Sequence, residues 1–384
     1  MKLEDRYMNI RVAIMEDIDR VLDVYAEARE YMAQNGNAEQ WGKNYPPKSL
    51  IEDDISKGKC YIVEDINSDG GRSIQGVFYF AIERDVSYDI IEEGQWRNNR
   101  PYAVVHRIAV GALAHNKGLA GQCISYAVNR CREVGIYDLR MDTHKDNIPM
   151  QRFLEKCDFR RCGKVYVEND SERLAYHKII IRNVVFDVGQ VLLEFDWRKF
   201  IKDMNIGEEK EAMLINVTLG NIPHWNWHDR GMDDEEFIRK SLELEPGIEN
   251  ELKHYMANIG TCVKEYEYAV PLIKELKSKG FDVYILSNYG RTPFKYAKDN
   301  MKFFDEVDGM VISHEVGMIK PEPEIYELLY SRYDLVPGEC LFLDDRADNI
   351  DAAIKCGMSG IVFANIEQAL KELCRITGTK IIIN

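Results

Sequence analysis

None of the nine cysteines in this 384-residue chain forms a C-x-x-C pair, and their odd number is scattered along its length. They read as reduced structural thiols, so no disulfide framework is expected and a cytoplasmic location is. Long apolar runs are also missing: none approaches the ~18 residues needed to cross a bilayer. The opening MKLEDRYMNI has no apolar core and carries acids early, so no secretory signal is visible. Basic charge is in deficit. Lys and Arg number 50 against 65 Asp and Glu, a net charge of -15. Phosphate backbones and anionic membranes attract basic surfaces, so neither nucleic acid nor membrane is an expected partner. A local basic pocket for a phosphorylated metabolite stays open. No internal repeat or low-complexity segment is visible.

What is present is ordinary for a globular protein: 45% apolar and 30% charged residues. The length exceeds one typical core, and two domains are expected. In the first half, Met8 to Ile14 reads as a strand. Ile18, Val21, Leu22, Tyr25, Ala28 and Met32 then fall at helical spacing over Met15 to Ala33. Trp41, Tyr45, Pro46 and Pro47 form an aromatic loop, either a hydrophobic plug or the lining of an acceptor pocket. A short helix near Ser49 to Ser56 and strands Lys59 to Glu64 and Ser73 to Glu83 follow. The strands are joined by NSDGG, which has turn chemistry. Asp85 to Arg100 is polar and reads as a loop insertion.

Tyr102 to Val110, YAVVHRIAV, is a clear strand. It leads into a small-residue turn, His115, Asn116, Lys117, Gly118, Leu119, Ala120, and a helix to about Glu133. Small residues there let a backbone approach a diphosphate, whose charge the free N–H groups and helix dipole would hold. A packing role is the alternative. Tyr137 to Thr143 is the next strand, DNIPMQRFLEKCDF the next helix, and Tyr176 to Ile181 the last strand.

On these residues the region Met8 to Ile180 resembles the GNAT superfamily of acyl-CoA-dependent N-acetyltransferases. The family's pyrophosphate loop, Q/R-x-x-G-x-G/A, corresponds to His115 to Ala120; Asn147 and Phe159 match later family positions. The resemblance implies a mixed α+β fold in which strands Val104 to Val110 and Leu139 to Thr143 splay apart. Acetyl-CoA would lie with its pantetheine along the first, beside Ile108 and Val110, and its pyrophosphate on the loop, with Asn147 nearby. An amine would be the acceptor. The tyrosine that usually protonates the departing thiolate is replaced by Leu154, which leaves Tyr102, Thr143 or water for that task. His106 or Glu83 is the candidate base; the alternative for His106 is a histidine satisfied within the sheet.

Only Arg182 and Asn183 separate this pattern from the next apolar run, so the expected domains are residues 1–181 and 182–384. The second opens with VVFDVGQVLL, Val184 to Leu193. A short β-branched run reads as a buried parallel strand. Asp187 at its carboxyl end stands where open α/β sheets bind ligands, or merely caps the turn at Gly189. A charged, helix-rich segment follows to about Cys262. It contains the aromatic-basic cluster His224, Trp225, Trp227, His228 and Arg230, suited to a sugar phosphate or to loop packing. Three further signals follow. FDVYILSN ends in Ser287 and Asn288, suited to phosphoryl oxygens. Lys320 precedes Pro321 and can neutralise phosphate and nucleophile, unless it is a solvated surface lysine. Cys340 to Leu343 ends in Asp344 and Asp345, adjacent carboxylates that repel unless compensated. With Asp187 they offer a hard oxygen site suited to Mg²⁺.

In this order and spacing, Val184 to about Leu373 resembles the haloacid dehalogenase-like (HAD) superfamily, in the phosphatase branch with a small helical cap at about 197–262. The resemblance implies a Rossmannoid parallel sheet and a small phosphorylated metabolite as substrate. Asp187 would form an aspartyl-phosphate. Mg²⁺ would be held by Asp187, the carbonyl of Gly189 and Asp345, with Asp344 and Asn349 in support. Ser287, Asn288 and Lys320 would hold phosphoryl oxygens. Gly189 departs from the second Asp usual there, which serves as general acid. A subgroup acting on α-D-glucose 1-phosphate shares that glycine and the DDxADN motif of Asp344 to Asn349. Two other classes stand beside a bifunctional enzyme: a CoA-binding regulatory or scaffold module, and a non-catalytic phosphometabolite sensor.

Overall fold

A computed structural model describes residues 7–66, 71–114, 118–167 and 171–383. It divides into two compact units, Met1–Ile180 with Arg375–Thr379, and Ile181–Cys374 with Lys380–Asn384. Among the described residues no helix is long and apolar enough to cross a membrane.

The first unit is built on β1 (Tyr7–Val12), β2 (Cys60–Ile66), β3 (Arg72–Ile82), β4 (Ala103–Val110), β5 (Asp138–Thr143), β6 (Arg160–Val167) and β7 (Ser171–Ile179). They form one sheet in the order β1-β2-β3-β4-β5-β7-β6. Only β4 and β5 run parallel, and they pair only at Ala103↔Leu139 and Val104↔Arg140. Beyond Val104 the two strands part, so the expected splay is present. On its other edge β4 carries a bulge: the register with β3 slips between Val77 and Tyr79, and Arg107 sits at φ 50. A non-glycine residue holds that conformation only when its surroundings enforce it. Here Arg107 donates to buried Asp54 over 2.6 Å and stacks on the Tyr79 ring.

One sheet face packs on helices Leu119–Glu133 and Ile148–Lys156, burying Phe78, Val105, Leu139, Met141 and Leu154. Helices Ile18–Gln34 and Lys48–Ser56 set Val21, Tyr25 and Ile51 against Ile62 and Val77, the alternate residues of the same strands. Trp41 joins this cluster edge-on to Tyr25, so the aromatic loop packs as a plug. The stretch from Asp85 to Arg100 differs from the expected polar loop. Tyr88 and Trp96 are buried against Tyr79, Val104 and Val165, and the Trp96 indole donates to the Tyr88 carbonyl. Two aromatic anchors among charged residues leave no periodic signal. The NSDGG turn falls at Asn67 to Gly71, of which 67–70 lie outside the described residues.

The second unit contains β8 (Asn183–Phe186), β9 (Leu193–Phe195), β10 (Val263–Glu265), β11 (Asp282–Ser287), β12 (Gly309–Ile312), β13 (Cys340–Asp344) and β14 (Ser359–Val362). The main sheet is parallel throughout, in the order β12-β11-β8-β13-β14. β8 is central and buried at all four residues, which explains its unbroken Asn-Val-Val-Phe run. Helices such as Pro323–Tyr333 and Ala347–Lys355 cover Val185, Leu286, Val311 and Phe342. β9 and β10 pair antiparallel, and five helices lie between them in the chain: Trp197–Asp203, Glu208–Asn216, Ile222–Asp229, Asp234–Leu244 and Glu249–Asn258. These form the expected helical cap, with a core of Leu214, Trp225, Phe237, Leu252 and Tyr255.

Candidate active site

The site of the second unit lies at the carboxyl ends of its parallel strands, where residues just past each strand point into a common crevice. β8 delivers Asp187. Its backbone N–H donates to Leu343 of β13 at 2.8 Å, and the Val188 N–H donates to its Oδ1 at 2.7 Å. β11 delivers Ser287, whose hydroxyl donates to Asp187 Oδ1 at 2.7 Å. Asn288 clamps Lys320 from both sides, its amide donating to the Lys320 carbonyl and its Oδ1 accepting the Lys320 N–H, at 3.0 and 2.8 Å. The lysine is not a surface residue: it is 3% exposed. Its Nζ lies 2.8 Å from Asp187 Oδ1 and 2.6 Å from Asp344 Oδ2.

Asp344 ends β13 and is fully buried. Besides Lys320 it accepts from the Arg346 N–H and from the Asn349 amide, on both carboxylate oxygens at 3.0 Å. Three donors offset the cost of burying this charge. Asp345 is the exposed member of the pair. Carboxylate oxygens of Asp187, Asp344 and Asp345 lie within 4.8 Å of one another. A hard divalent cation takes such a set. Burial pushes the Asp187 carboxyl up to about 6 although Lys320 opposes it. Burial and then the neighbouring Asp344 push Asp345 up. Burial is the larger cause of both rises, and the neighbouring carboxylates add to it. Lys320 is raised, because Asp187 and Asp344 together outweigh its burial.

At Gly189 an added Cβ would meet no atom of the described residues within 4 Å, so space remains where this position supplies no acid. The aromatic-basic cluster of the cap resolves toward packing. His224 bonds Ser241, and His224, Trp225 and His228 are buried, each ring against Phe237. Arg230 pairs with Glu322. Sequence reasoning passed over Asp229, which sits within this cluster and is 7% exposed. Burial raises its carboxyl to about 7, and both Asp187 and Lys320 act on it. An acid amid apolar rings in HWNWHDRG was the available signal.

In the first unit the geometry is more partial. His115, Asn116 and Lys117 lie outside the described residues. Gly118 adopts φ 76 and precedes the helix opened by Leu119 and Ala120, a turn that glycine makes readily. Asn147 caps helix Ile148–Lys156 through the Met150 N–H and donates to Gln40. Ile108 and Val110 lie on β4 beyond its last pair with β5. His106 faces two carboxylates, Asp85 at 2.9 Å from Nε2 and Asp142 at 3.5 Å from Nδ1. Burial lowers the imidazolium, but Asp142 and Asp85 outweigh it and raise it to about 9. Glu83 is engaged by Lys59 and Tyr79. Leu154 is fully buried. Of the two hydroxyls that could take its place, Tyr102 exchanges hydrogen bonds with the Asp85 backbone, whereas Thr143 Oγ1 is buried without a partner among the described residues.

Both halves match known families. Residues 181–357 match the haloacid dehalogenase-like hydrolases, and residues 26–159 match the acetyltransferase (GNAT) family. The chain is thus a fusion of a GNAT acetyltransferase domain with a HAD-like hydrolase domain that has phosphatase relatives. The sesquiterpene phosphatase astK of Aspergillus oryzae is 26% identical over 195 residues, 50% of this chain and 95% of that protein. Bifunctional epoxide hydrolase 2 of Mus musculus is 38% identical over 109 residues, 27% of this chain; the chain spans only 20% of that protein. Among solved structures, a GNAT-family acetyltransferase from Streptococcus agalactiae is 31% identical, covering 46% of this chain and 98% of that one, with a TM-score of 0.39.

Proposed function

We propose that residues 182–384 form a Mg²⁺-dependent phosphohydrolase acting on a small phosphorylated metabolite, and residues 1–181 an acetyl-CoA-dependent N-acetyltransferase domain. One observation carries the phosphatase reading: three strand ends and the loop after helix Ser313–Val316 bring Asp187, Ser287, Asp344 and Lys320 into one hydrogen-bonded cluster, with Asp345 beside it. Asp187 is the nucleophile. It attacks phosphorus in line, forms an aspartyl-phosphate, and is released by water. Ser287 and Lys320 orient its carboxylate and hold phosphoryl oxygens, and Asn288 fixes Lys320. Mg²⁺ would be held by Asp187, Asp345 and the Gly189 carbonyl, supported by Asp344 and Asn349, and would neutralise phosphoryl charge. A phosphatase relative that the chain covers almost end to end supports the same reaction class. The test is a screen of phosphorylated metabolites with and without Mg²⁺, alongside Asp187→Asn. Turnover that survives that substitution would sink the reading.

In the first half, the open β4–β5 edge and the glycine turn support acyl-CoA binding. Thr143 is the free hydroxyl at that edge. A second reading, a CoA-binding module without transfer, is favoured by Leu154 in the tyrosine position and by the engaged His106. Acetyl-CoA turnover across an amine panel separates them: binding with no turnover on any amine leaves only the module. The scattered thiols support a cytoplasmic location.

A further inference from the structure

The phosphohydrolase reading leaves one chemical task unassigned. Cleaving an alkyl phosphate expels an alkoxide, which needs a proton as the P–O bond breaks. Gly189 has no side chain to give it. We propose that Asp229, at the end of cap helix Ile222–Asp229, donates that proton to the leaving oxygen.

The placement rests on how the cap meets the strand ends. The Asp229 carbonyl accepts from the Ser313 hydroxyl at 2.6 Å, and that hydroxyl accepts the Tyr289 N–H at 2.9 Å. Tyr289 is two residues past Ser287, which bonds Asp187. Two residues beyond Asp229, a Cβ on Gly231 would lie 2.6 Å from the His314 carbonyl, so the cap backbone is pressed onto the β12 loop. The Asp229 backbone is therefore held against the segment that follows β12, next to the chain leaving Ser287. Burial, His228, Trp225, Asp187 and Lys320 all act on it, and Tyr289 senses both Asp187 and Asp229. The net effect raises the carboxyl to about 7, so the protonated acid is present near neutral pH. Among the described residues no atom lies within 4 Å of a Cβ placed on Gly189, so that position is open to a leaving group.

The steps balance. Asp187 Oδ attacks phosphorus and the P–O bond to the leaving group breaks. The oxygen keeps the electron pair and takes the Asp229 proton, leaving as an alcohol. Water then attacks the aspartyl-phosphate, the Asp229 carboxylate accepts its proton, and inorganic phosphate departs.

Leaving-group dependence tests the role, because p-nitrophenolate departs without a proton and an alkoxide does not. With the full chain and Mg²⁺, Asp229→Asn should lose about 100-fold in kcat/KM on glycerol phosphate and at most about threefold on p-nitrophenyl phosphate. The retained p-nitrophenyl activity is the control for folding. Gly189→Asp in the Asp229→Asn background should restore glycerol phosphate hydrolysis about tenfold or more, since the position is open. Should Asp229→Asn fail to fold, Asp229→Glu and Asp229→Ser serve instead, the first keeping alkyl activity and the second losing it selectively. Equal losses on both substrates, or none, overturn the role of Asp229 while leaving the phosphatase intact. No Asp187-dependent turnover on either substrate overturns the phosphohydrolase reading and this role with it.

Discussion

Ser287 and Asp187 are 100 residues apart in the chain, yet the serine hydroxyl donates to the aspartate across 2.7 Å. The parallel pairing of β11 on β8 produces this contact. Ile285 registers with Phe186, so both side chains emerge just past the last paired residues. The same logic on the other flank, Leu343 beside Phe186, sets Asp344 next to Asp187, where Lys320 bridges the two carboxylates. Asp187, the proposed nucleophile, is thus oriented by backbone register and the Ser287 hydroxyl.

Asp187→Asn is expected to abolish Mg²⁺-dependent phosphatase turnover, by about a thousandfold or more, because a carboxamide cannot form the aspartyl-phosphate. Steady-state kinetics on any substrate found by the metabolite screen checks this. A residual rate within tenfold of wild type would contradict it.

Asp344→Ala should destabilise the second unit by ~3 kcal/mol or more, because it removes one of two carboxylates facing a buried ammonium and strands the Asn349 amide. Lys320 at 3% exposure cannot reach water in compensation. Denaturant unfolding measures the loss. A change below about 1 kcal/mol would mean that Asp187 alone satisfies the lysine.

Added Mg²⁺ should raise the melting temperature of the second unit, since a ligand bound only to the folded state contributes ~2.7 kcal/mol at a hundredfold excess over its Kd. Asp345→Asn should remove most of that rise with little effect on the metal-free melting temperature, because Asp345 is exposed. Chelation should abolish phosphatase turnover and leave acetyl transfer unchanged. A melting temperature indifferent to Mg²⁺ would speak against the metal site.

The first unit should show a pH-dependent stability from His106. Its folded value, about 9, exceeds the ordinary ~6.5 of an unfolded histidine. The contribution is therefore complete below about 6.5 and is lost as pH rises through about 9. Thermal unfolding across that window should show a decline that His106→Gln flattens, and the imidazole resonance should titrate near 9. A midpoint near 6.5 would mean that Asp85 and Asp142 do not hold the charged form.

The sequence by itself determined the two fold classes and the main catalytic candidates. Short β-branched runs ending in Asp187, Ser287 and Asp344 are local signals, and a buried parallel strand needs no partner information to be recognised. The splayed β4 was legible only through family resemblance, since two registered pairs leave no mark in periodicity. Tertiary structure decided what local pattern cannot encode. Whether Lys320 is solvated or buried depends on Asp187 and Asp344 arriving from other strands. Whether His106 is free depends on Asp85 and Asp142, brought to it by a loop and a neighbouring strand. Tyr88 and Trp96 anchor a stretch that looked like polar loop, because burial belongs to the packed surface and not to the segment's composition. Asp229 is the sharpest case: in sequence it is one acid in a charged helix end, and only the packing of the cap, with its carbonyl held by Ser313, makes it a buried carboxyl.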